Sequence, residues 1–183
     1  MKTLFKIAIL SFCLTTLIAC ATSKPYTMTY STQSLPRGKS DLNAETFKYL
    51  PADNKILPNQ IENTAMGSIL LDTDVSEYVK HAFQLELERS GYFSLTPKIT
   101  FDCDIMRLKC DDFGYSVDWY LDITCYFIDN TTKTEVANES ANITKKHLQK
   151  FGGLENFQRT LNSVIFEAYD KIISSPKLQQ VLK

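Results

Sequence analysis

The sequence is poor in the residues and patterns from which enzyme active sites are usually built. It contains only two histidines, His81 and His147, among 183 residues. It contains no Gly-x-Ser-x-Gly, His-Glu-x-x-His or phosphate-loop pattern. It also contains no Cys-x-x-Cys pair, which removes the signal for zinc-ribbon or thioredoxin chemistry. We therefore expect a protein that is not an enzyme and that has neither a cofactor nor a metal site.

An excess of charge of either sign is also lacking. Twenty lysine and arginine residues are balanced by 21 aspartate and glutamate residues, which gives a formal net charge of −1. Proteins that bind nucleic acid through its phosphates carry a basic patch or stripe, and the sequence has none. We expect no nucleic-acid partner and no attachment to anionic lipid through clustered lysines.

The apolar stretch near the N-terminus is too short to cross a membrane. Residues 7–18 form a mostly apolar run of about 12 residues, whereas a transmembrane helix needs about 20. Lys2 and Lys6 precede this run and give it a positive start. A short positive stretch followed by a short apolar one is typical of a secretion signal rather than a membrane span.

The end of this stretch carries the most specific motif of the chain. Residues 17–20 read Leu-Ile-Ala-Cys, which resembles the lipobox of bacterial lipoproteins. The resemblance implies that residues 1–19 are a signal peptide and that Cys20 receives fatty acyl chains such as palmitate. Several acyl chains hold a protein on a membrane almost permanently. Ala21 follows the cysteine, and the absence of Asp at that position is typical of sorting to the outer membrane.

The expected mature protein is thus anchored by lipid to the periplasmic face of a bacterial outer membrane. Loss of residues 1–19 removes two lysines and no acidic residue, so the net charge changes from −1 to −3. Residues 20–35 are polar and rich in Ser and Thr, which predicts a lipidated N-terminus followed by a flexible tether. Residues 36–183 then form a single periplasmic domain.

Two segments have the three-and-four spacing of apolar residues that is typical of amphipathic helices. The first covers residues 75–90, where Asp74 is positioned to cap the start and Gly91 to end the helix. The second covers residues 154–174 and ends before Pro176. Both helices have one apolar stripe, so we expect both to pack on the same sheet.

Three segments alternate between apolar and polar residues, which is typical of strands with one buried face. They cover residues 99–107, 117–127 and 135–145. In the second strand Trp119 belongs to the apolar set, so we expect it in the core. The pattern predicts an α+β fold in which two helices pack on one face of an antiparallel sheet of about four strands.

Three cysteines remain after Cys20, and two of them lie on neighbouring strands. Cys103 and Cys125 share the inward face of the first two strands, where a hairpin brings them close together. The periplasm is oxidising, so a disulfide between them is permitted. The alternative is that they remain two buried thiols that pack as small apolar side chains.

The connection at residues 110–115 is the best candidate for contact with a partner. It combines two acidic residues, Asp111 and Asp112, with two aromatic ones, Phe113 and Tyr115. Binding loops are commonly presented by a rigid scaffold in this way. The alternative is that the aromatic rings close over the core. Further acidic residues on the outer face of these strands are interpreted as a solvated surface rather than a calcium site.

Several segments resemble the small uncharacterised YajG-type lipoproteins of proteobacteria. The most specific are Pro-Asn-Gln-Ile-Glu-Asn-Thr at residues 58–64 and Tyr-Ser-Val-Asp-Trp at residues 115–119. The order of elements is also similar to that of lipopolysaccharide-assembly lipoproteins of the LptE type. Neither resemblance supplies a catalytic residue. Our first hypothesis is a non-enzymatic accessory protein of the cell envelope that binds a protein partner. The alternative is an auxiliary lipoprotein of lipid or lipopolysaccharide transport that contacts its lipid directly.

Overall fold

A mixed sheet of six strands carries helices on one of its faces. The computed structural model describes residues 24–54, 56–65, 67–149 and 153–182, so the predicted signal peptide and Cys20 lie outside the described residues. The strands are β1 (Leu42–Tyr49), β2 (Gln60–Asn63), β3 (Ile69–Leu70), β4 (Ile99–Asp111), β5 (Ser116–Asp129) and β6 (Thr134–Gln149). The helices are α1 (Val75–Ser90), α2 (Gly153–Ile173) and α3 (Pro176–Val181), with a 3-10 helix at Leu50–Asn54. None of the described helices is long and apolar enough to cross a membrane.

Strands β4, β5 and β6 form the antiparallel meander that the alternating pattern predicts. Along β5 every odd-numbered residue from Val117 to Phe127 is buried, while the even-numbered ones are half-buried. Trp119 is only 2 % exposed, which confirms that it faces inward. The α+β class is therefore confirmed.

The number and direction of the strands differ from the prediction of an antiparallel sheet of about four. The sheet of the described chain has six strands, and both β1 and β2 run parallel to β4. Between β1 and β4 the chain passes through α1, and such a helical crossover returns a strand in the same direction. Strands β2 and β3 have four and two residues, too few for an alternating pattern to reveal them.

A β-bulge at Met106 explains why β4 extends beyond its predicted end. The pairing shifts between Ile105 and Arg107, so one residue of β4 has no counterpart on β5. One extra residue reverses which side chains point inward. Ile105 is buried before the bulge, and Leu108 and Cys110 are buried after it. The sequence pattern is therefore interrupted at residue 107, although the strand continues to Asp111.

The helices begin and end close to their predicted positions. Helix α1 has the predicted bounds, and Gly91 ends it with a φ of 84°. Asp74 is the residue before α1, but its side chain makes no cap hydrogen bond. Helix α3 was not expected: Ser175 caps it by accepting a hydrogen bond from the Leu178 amide, and Pro176 begins it. A proline at the first position fits because its missing N–H has no partner there anyway.

Aromatic rings join both helices to the same face of the sheet. The ring centroid of Phe83 on α1 lies 6.5 Å from that of Phe101 on β4 and 5.5 Å from that of Tyr169 on α2. Phe157 on α2 lies 4.8 Å from Trp119 on β5. Since Phe101 and Trp119 belong to the inward faces of paired strands, both helices cover one layer of the core.

The disulfide prediction falls on a directly paired position of the hairpin. Cys103 on β4 lies opposite Cys125 on β5, with their Cα atoms 4.1 Å apart. Their sulfur atoms form a disulfide bond in the structure. The bond closes a chain separation of 22 residues and lies fully inside the core.

The second half of the predicted tether is packed against the domain, which corrects its assignment as flexible. Met28, Tyr30 and Ser34 are buried. The carbonyl oxygen of Thr29 accepts a hydrogen bond from the Asn162 side chain on α2 at 3.0 Å. Arg37 donates to Ser174 Oγ at 2.6 Å. These contacts are long-range in the chain, so a local reading of a polar, Ser- and Thr-rich segment could not find them.

One buried carboxylate holds this N-terminal segment in place. Glu86 on α1 is fully buried and accepts three hydrogen bonds, from the Tyr30 hydroxyl at 2.7 Å, the Gln33 amide at 2.8 Å and the Ser34 amide at 2.9 Å. Burial, reinforced by the hydrogen bond to Glu86, raises the pKa of Tyr30 well above its ordinary range. A buried charge is tolerated where its oxygens are satisfied in this way.

Candidate binding site at the end of the sheet

A cavity of about 370 Å³ lies at the end of the sheet where β4 ends and β5 begins. We call it the sheet-end cavity. Cys110, Val117 and Trp119 form its floor, and Ile69, Leu148 and Phe157 form its walls. The rim and upper walls consist of Tyr26, Gly67, Ser68, Gly153, Leu154, Asn156 and Thr160.

The local sequence explains why the floor is apolar. The alternation of β5 directs Val117 and Trp119 inward, and the bulge brings Cys110 of β4 to the same face, opposite Trp119. On α2, Leu154 and Phe157 are three residues apart and therefore share one side of the helix. Phe157 reaches Trp119, while Leu154 stays 45 % exposed at the rim.

Two polar residues of the cavity, Asn156 and Thr160, are engaged in hydrogen bonds with protein atoms. Thr160 Oγ1 donates a hydrogen bond to the Asn156 carbonyl oxygen at 2.9 Å. The Asn156 side-chain oxygen accepts one from Arg159 at 2.6 Å. None of the described lining residues is a carboxylate, an amine or an imidazole. The volume falls within the range of about 300–1,000 Å³ that is usual for small-molecule sites, and the lining suits an uncharged apolar group.

Two aromatic side chains project from the neighbouring hairpin tip. Phe113 is 79 % exposed and Tyr115 is 93 % exposed. The alternative in which these rings close over the core is therefore wrong. Gly114 between them has a φ of 91°, which a glycine adopts without strain, and Asp111 Oδ1 accepts a hydrogen bond from the Phe113 amide at 3.3 Å. We refer to residues 112–115 as the tip loop.

Asp112 does not lie at the surface, contrary to the expectation for a residue that meets a partner. It is fully buried, and its Oδ1 accepts hydrogen bonds from the Thr64 amide at 3.1 Å and the Ala65 amide at 2.7 Å. Its carboxylate thus ties the connection after β2 to the tip loop. Because that connection leads to Gly67 and Ser68, Asp112 helps to position the rim of the sheet-end cavity. Cys110 and Asp111 also differ from the prediction, since both belong to β4 rather than to the loop.

The acidic residues on the outer face of the sheet are paired with other groups. Asp122 forms a salt bridge with Arg107 at 2.8 Å and accepts a hydrogen bond from Asn142 at 2.9 Å. Asp102 accepts one from the Thr46 amide at 2.9 Å. Within the part of the chain that the structure describes, no three His, Cys, Asp or Glu side chains are arranged to hold a metal ion.

The sheet-end cavity is the feature that sequence reasoning missed. The alternation around Trp119 shows that the side chain points inward, but it does not show how completely helices cover that part of the sheet. Helix α2 begins at Gly153, and its first turns line the cavity at this end of the sheet. Tyr26 completes the rim from a segment that was predicted to be a tether, so no local pattern could place it there.

Comparisons with known proteins identify relatives in fold. No family model matches the chain, and no curated protein matches it. A Xanthomonas campestris protein of the DUF330 family superposes with a TM-score of 0.63 at 12 % identity, over 86 % of this chain and 98 % of that one. A hypothetical protein from Chlamydia trachomatis superposes with a TM-score of 0.50 at 10 % identity, over 76 % of this chain and 96 % of that one. The chain thus shares its fold with these proteins, while its likeness to the YajG-type lipoproteins stays a prediction.

Proposed function

We propose that this protein is a lipid-anchored accessory of the bacterial cell envelope that acts by binding and not by catalysis. The anchor is a lipid on Cys20, on the periplasmic face of the outer membrane. The support for the anchor is the signal pattern of residues 1–19, the lipobox that ends at Cys20 and the absence of Asp at position 21. The bound partner is another protein of the envelope.

The exposure of Phe113 and Tyr115 is the observation that carries the binding proposal. These two aromatic side chains remain in water, so the free energy that their burial would provide is still available for binding. They project from a tip loop that Asp112 and the β4–β5 pairing hold in place, so little conformational freedom is lost when a partner covers them. Exposed aromatic anchors on a rigid support are typical of the energetic centres of protein interfaces.

A photo-crosslinking experiment tests this proposal. A photoreactive phenylalanine analogue at position 115 should crosslink in intact cells to a discrete envelope protein. The matched control is position 95, because Leu95 is 86 % exposed but precedes β4 at the opposite end of the sheet. The same adduct at both positions, or none at position 115, would contradict the proposal.

A stability control separates loss of binding from loss of folding. The double substitution Phe113→Ser, Tyr115→Ser should change the free energy of unfolding by less than about 0.5 kcal/mol, since both rings are exposed. For this comparison the photoreactive analogue is placed at position 111 in both the original chain and the double variant. If the folded double variant no longer gives the crosslink seen in the original chain, the two rings belong to the interface. An unchanged adduct would remove them from it.

The sheet-end cavity favours a second candidate, in which the protein is an auxiliary of lipid or lipopolysaccharide transport and contacts a lipid directly. The observation behind it is the apolar floor and walls around Trp119 and Phe157. Lipid extraction of the protein purified from membranes distinguishes the two. A stoichiometric bound lipid that is lost when Thr160→Phe fills the cavity supports this candidate.

A further inference from the structure

The chain enters the described domain at the rim of the sheet-end cavity. The backbone amide of Tyr26 donates to the Leu70 carbonyl oxygen at 2.7 Å, and its carbonyl oxygen accepts from the Asp72 amide at 3.1 Å. Tyr26 therefore pairs in parallel with Leu71 and extends the sheet beside β3. Its side chain contributes to the cavity rim and remains 40 % exposed.

The attachment point of the proposed lipid is only a few residues from this rim along the chain. Cys20 precedes Tyr26 by six residues, and a fully extended chain of that length spans at most about 20 Å. The residues after Tyr26 are held by the buried carboxylate of Glu86 and by Asn162. They therefore cannot move away to increase the distance between Cys20 and the cavity rim. Six residues of chain therefore connect the proposed lipid on Cys20 to the cavity mouth.

The cavity has the chemistry of a site for hydrocarbon. Its floor and walls are aromatic and aliphatic, and the hydrogen-bonding groups of Asn156 and Thr160 that border it are engaged with protein atoms. A group tethered by a short flexible linker has an effective concentration on the order of millimolar at a neighbouring site. A tethered hydrocarbon chain would thus occupy the cavity without any second molecule.

We propose that the sheet-end cavity holds one acyl chain of the lipid attached to Cys20. This inference rests on the proposed lipidation of Cys20 and adds a place for part of that lipid within the protein. The remaining acyl chains stay in the membrane and anchor the domain.

Trp119 provides an intrinsic probe for this proposal. It is the only tryptophan of the chain and forms part of the cavity floor. Bromine atoms on an acyl chain quench indole fluorescence on contact. The mature chain, which begins at Cys20, is acylated at its N-terminal cysteine with a dibromostearoyl thioester, a reaction that leaves Cys110 untouched because only an N-terminal cysteine captures the acyl group on nitrogen. A sample acylated with unbrominated stearoyl is the reference.

The expected result is loss of most of the Trp119 emission in the brominated sample, to the same extent at every protein concentration. Thr160→Phe, which fills the cavity, should restore the emission, whereas Leu95→Phe, at an exposed position near the opposite end of the sheet, should leave the quenching unchanged. Leu154→Glu, which places a charge at the exposed rim, should also restore emission and serves where Thr160→Phe reduces the melting temperature. Added phospholipid vesicles without bromine should not relieve the quenching.

Two results would overturn the proposal. One is full Trp119 emission in the brominated sample. The other is a pair of observations: vesicles of brominated phospholipid quench Trp119 in the unacylated chain, and unbrominated vesicles relieve the quenching in the acylated chain. Together they would assign the cavity to membrane lipid instead. The label is attached chemically, so neither result depends on lipidation in cells or on crosslinking at position 115. Failure of this inference and failure of the proposed function are therefore distinguishable.

Discussion

The Tyr30 hydroxyl donates a hydrogen bond to Glu86 Oε1 at 2.7 Å, although the two residues are 56 positions apart in the chain. The same carboxylate accepts hydrogen bonds from two backbone amides of the N-terminal segment. One side chain on α1 therefore binds three groups of the segment that leads to the proposed anchor and joins that segment to the domain.

Removal of this carboxylate should release the N-terminal segment. Glu86→Ala leaves the Tyr30 hydroxyl and the Gln33 and Ser34 amides without this acceptor, so we expect the free energy of unfolding to fall by about 3–5 kcal/mol. Urea unfolding measures the loss, and limited proteolysis should reveal new cleavage between residues 24 and 37. Glu88→Ala is the matched control, because Glu88 lies on the same helix with an exposed side chain. Equal stability of the two variants would show that Glu86 does not hold the segment.

Buried tyrosines should make the protein sensitive to alkali. Burial raises the pKa values of Tyr30, Tyr49, Tyr78 and Tyr169 above the ordinary value of 10.0. The folded state keeps these protons after the unfolded state has lost them. The contribution of these tyrosines to the free energy of unfolding is therefore constant below about pH 10 and falls as the pH rises further. Urea unfolding at a series of pH values, with phenolate absorbance as a second signal, measures this slope.

The control for the alkaline slope compares a buried tyrosine with an exposed one. Tyr78→Phe removes a buried hydroxyl and should make the loss of stability above about pH 10 less steep. Tyr115→Phe changes an exposed ring and should leave the slope as it is. A slope that is identical in the two variants would refute the assignment of the alkaline sensitivity to the buried rings.

The disulfide should contribute a large part of the stability of the hairpin. It links Cys103 to Cys125 over a separation of 22 residues, and a loop of this size predicts a stabilisation of about 3 kcal/mol. We expect the double variant Cys103→Ala, Cys125→Ala to unfold at lower urea concentration by that amount. The reduced protein, prepared in denaturant and refolded with a reductant, should be destabilised to a similar degree. A thiol titration that finds both cysteines free in the native protein would contradict the bond.

Replacement of Cys20 should abolish association with the membrane. Cys20→Ala removes the thiol that we propose receives the lipid, and none of the described helices could span a membrane in its place. Labelling with a clickable palmitate should give a signal in the original chain and none in the variant, and fractionation should find the variant outside the membrane pellet. If the variant remains with membranes after a high-salt wash, Cys20 is not the sole anchor.

The sequence predicts those parts of the fold that have a long period of their own. Helix α1 has 16 residues and a glycine that can adopt a left-handed conformation at its end, so its bounds could be predicted to the residue. Strand β5 has 14 residues with unbroken alternation, which places Trp119 in the core. In both elements the local pattern and the tertiary packing agree.

The remaining parts depend on contacts between distant residues. Strand β2 is defined by its pairing with Lys109 and Cys110, and four residues are too few to show a period. The N-terminal segment is ordered by Glu86, which lies more than 50 residues further along the chain. The binding site shows the same division, since Phe113 and Tyr115 stand out as aromatic loop residues, whereas the cavity exists only where β3, β4, β5, β6 and α2 meet.

The bulge at Met106 has a consequence for what the cavity can accept. If β4 paired with β5 in regular alternation through Met106, Leu108 and Cys110 would point to the outer face, and Lys109 would point inward opposite Trp119. The floor would then carry an ammonium group and repel hydrocarbon. The bulge at Met106 therefore keeps the cavity floor apolar, so the selectivity of this site is encoded by the pairing register of a strand as much as by the side chains that line it.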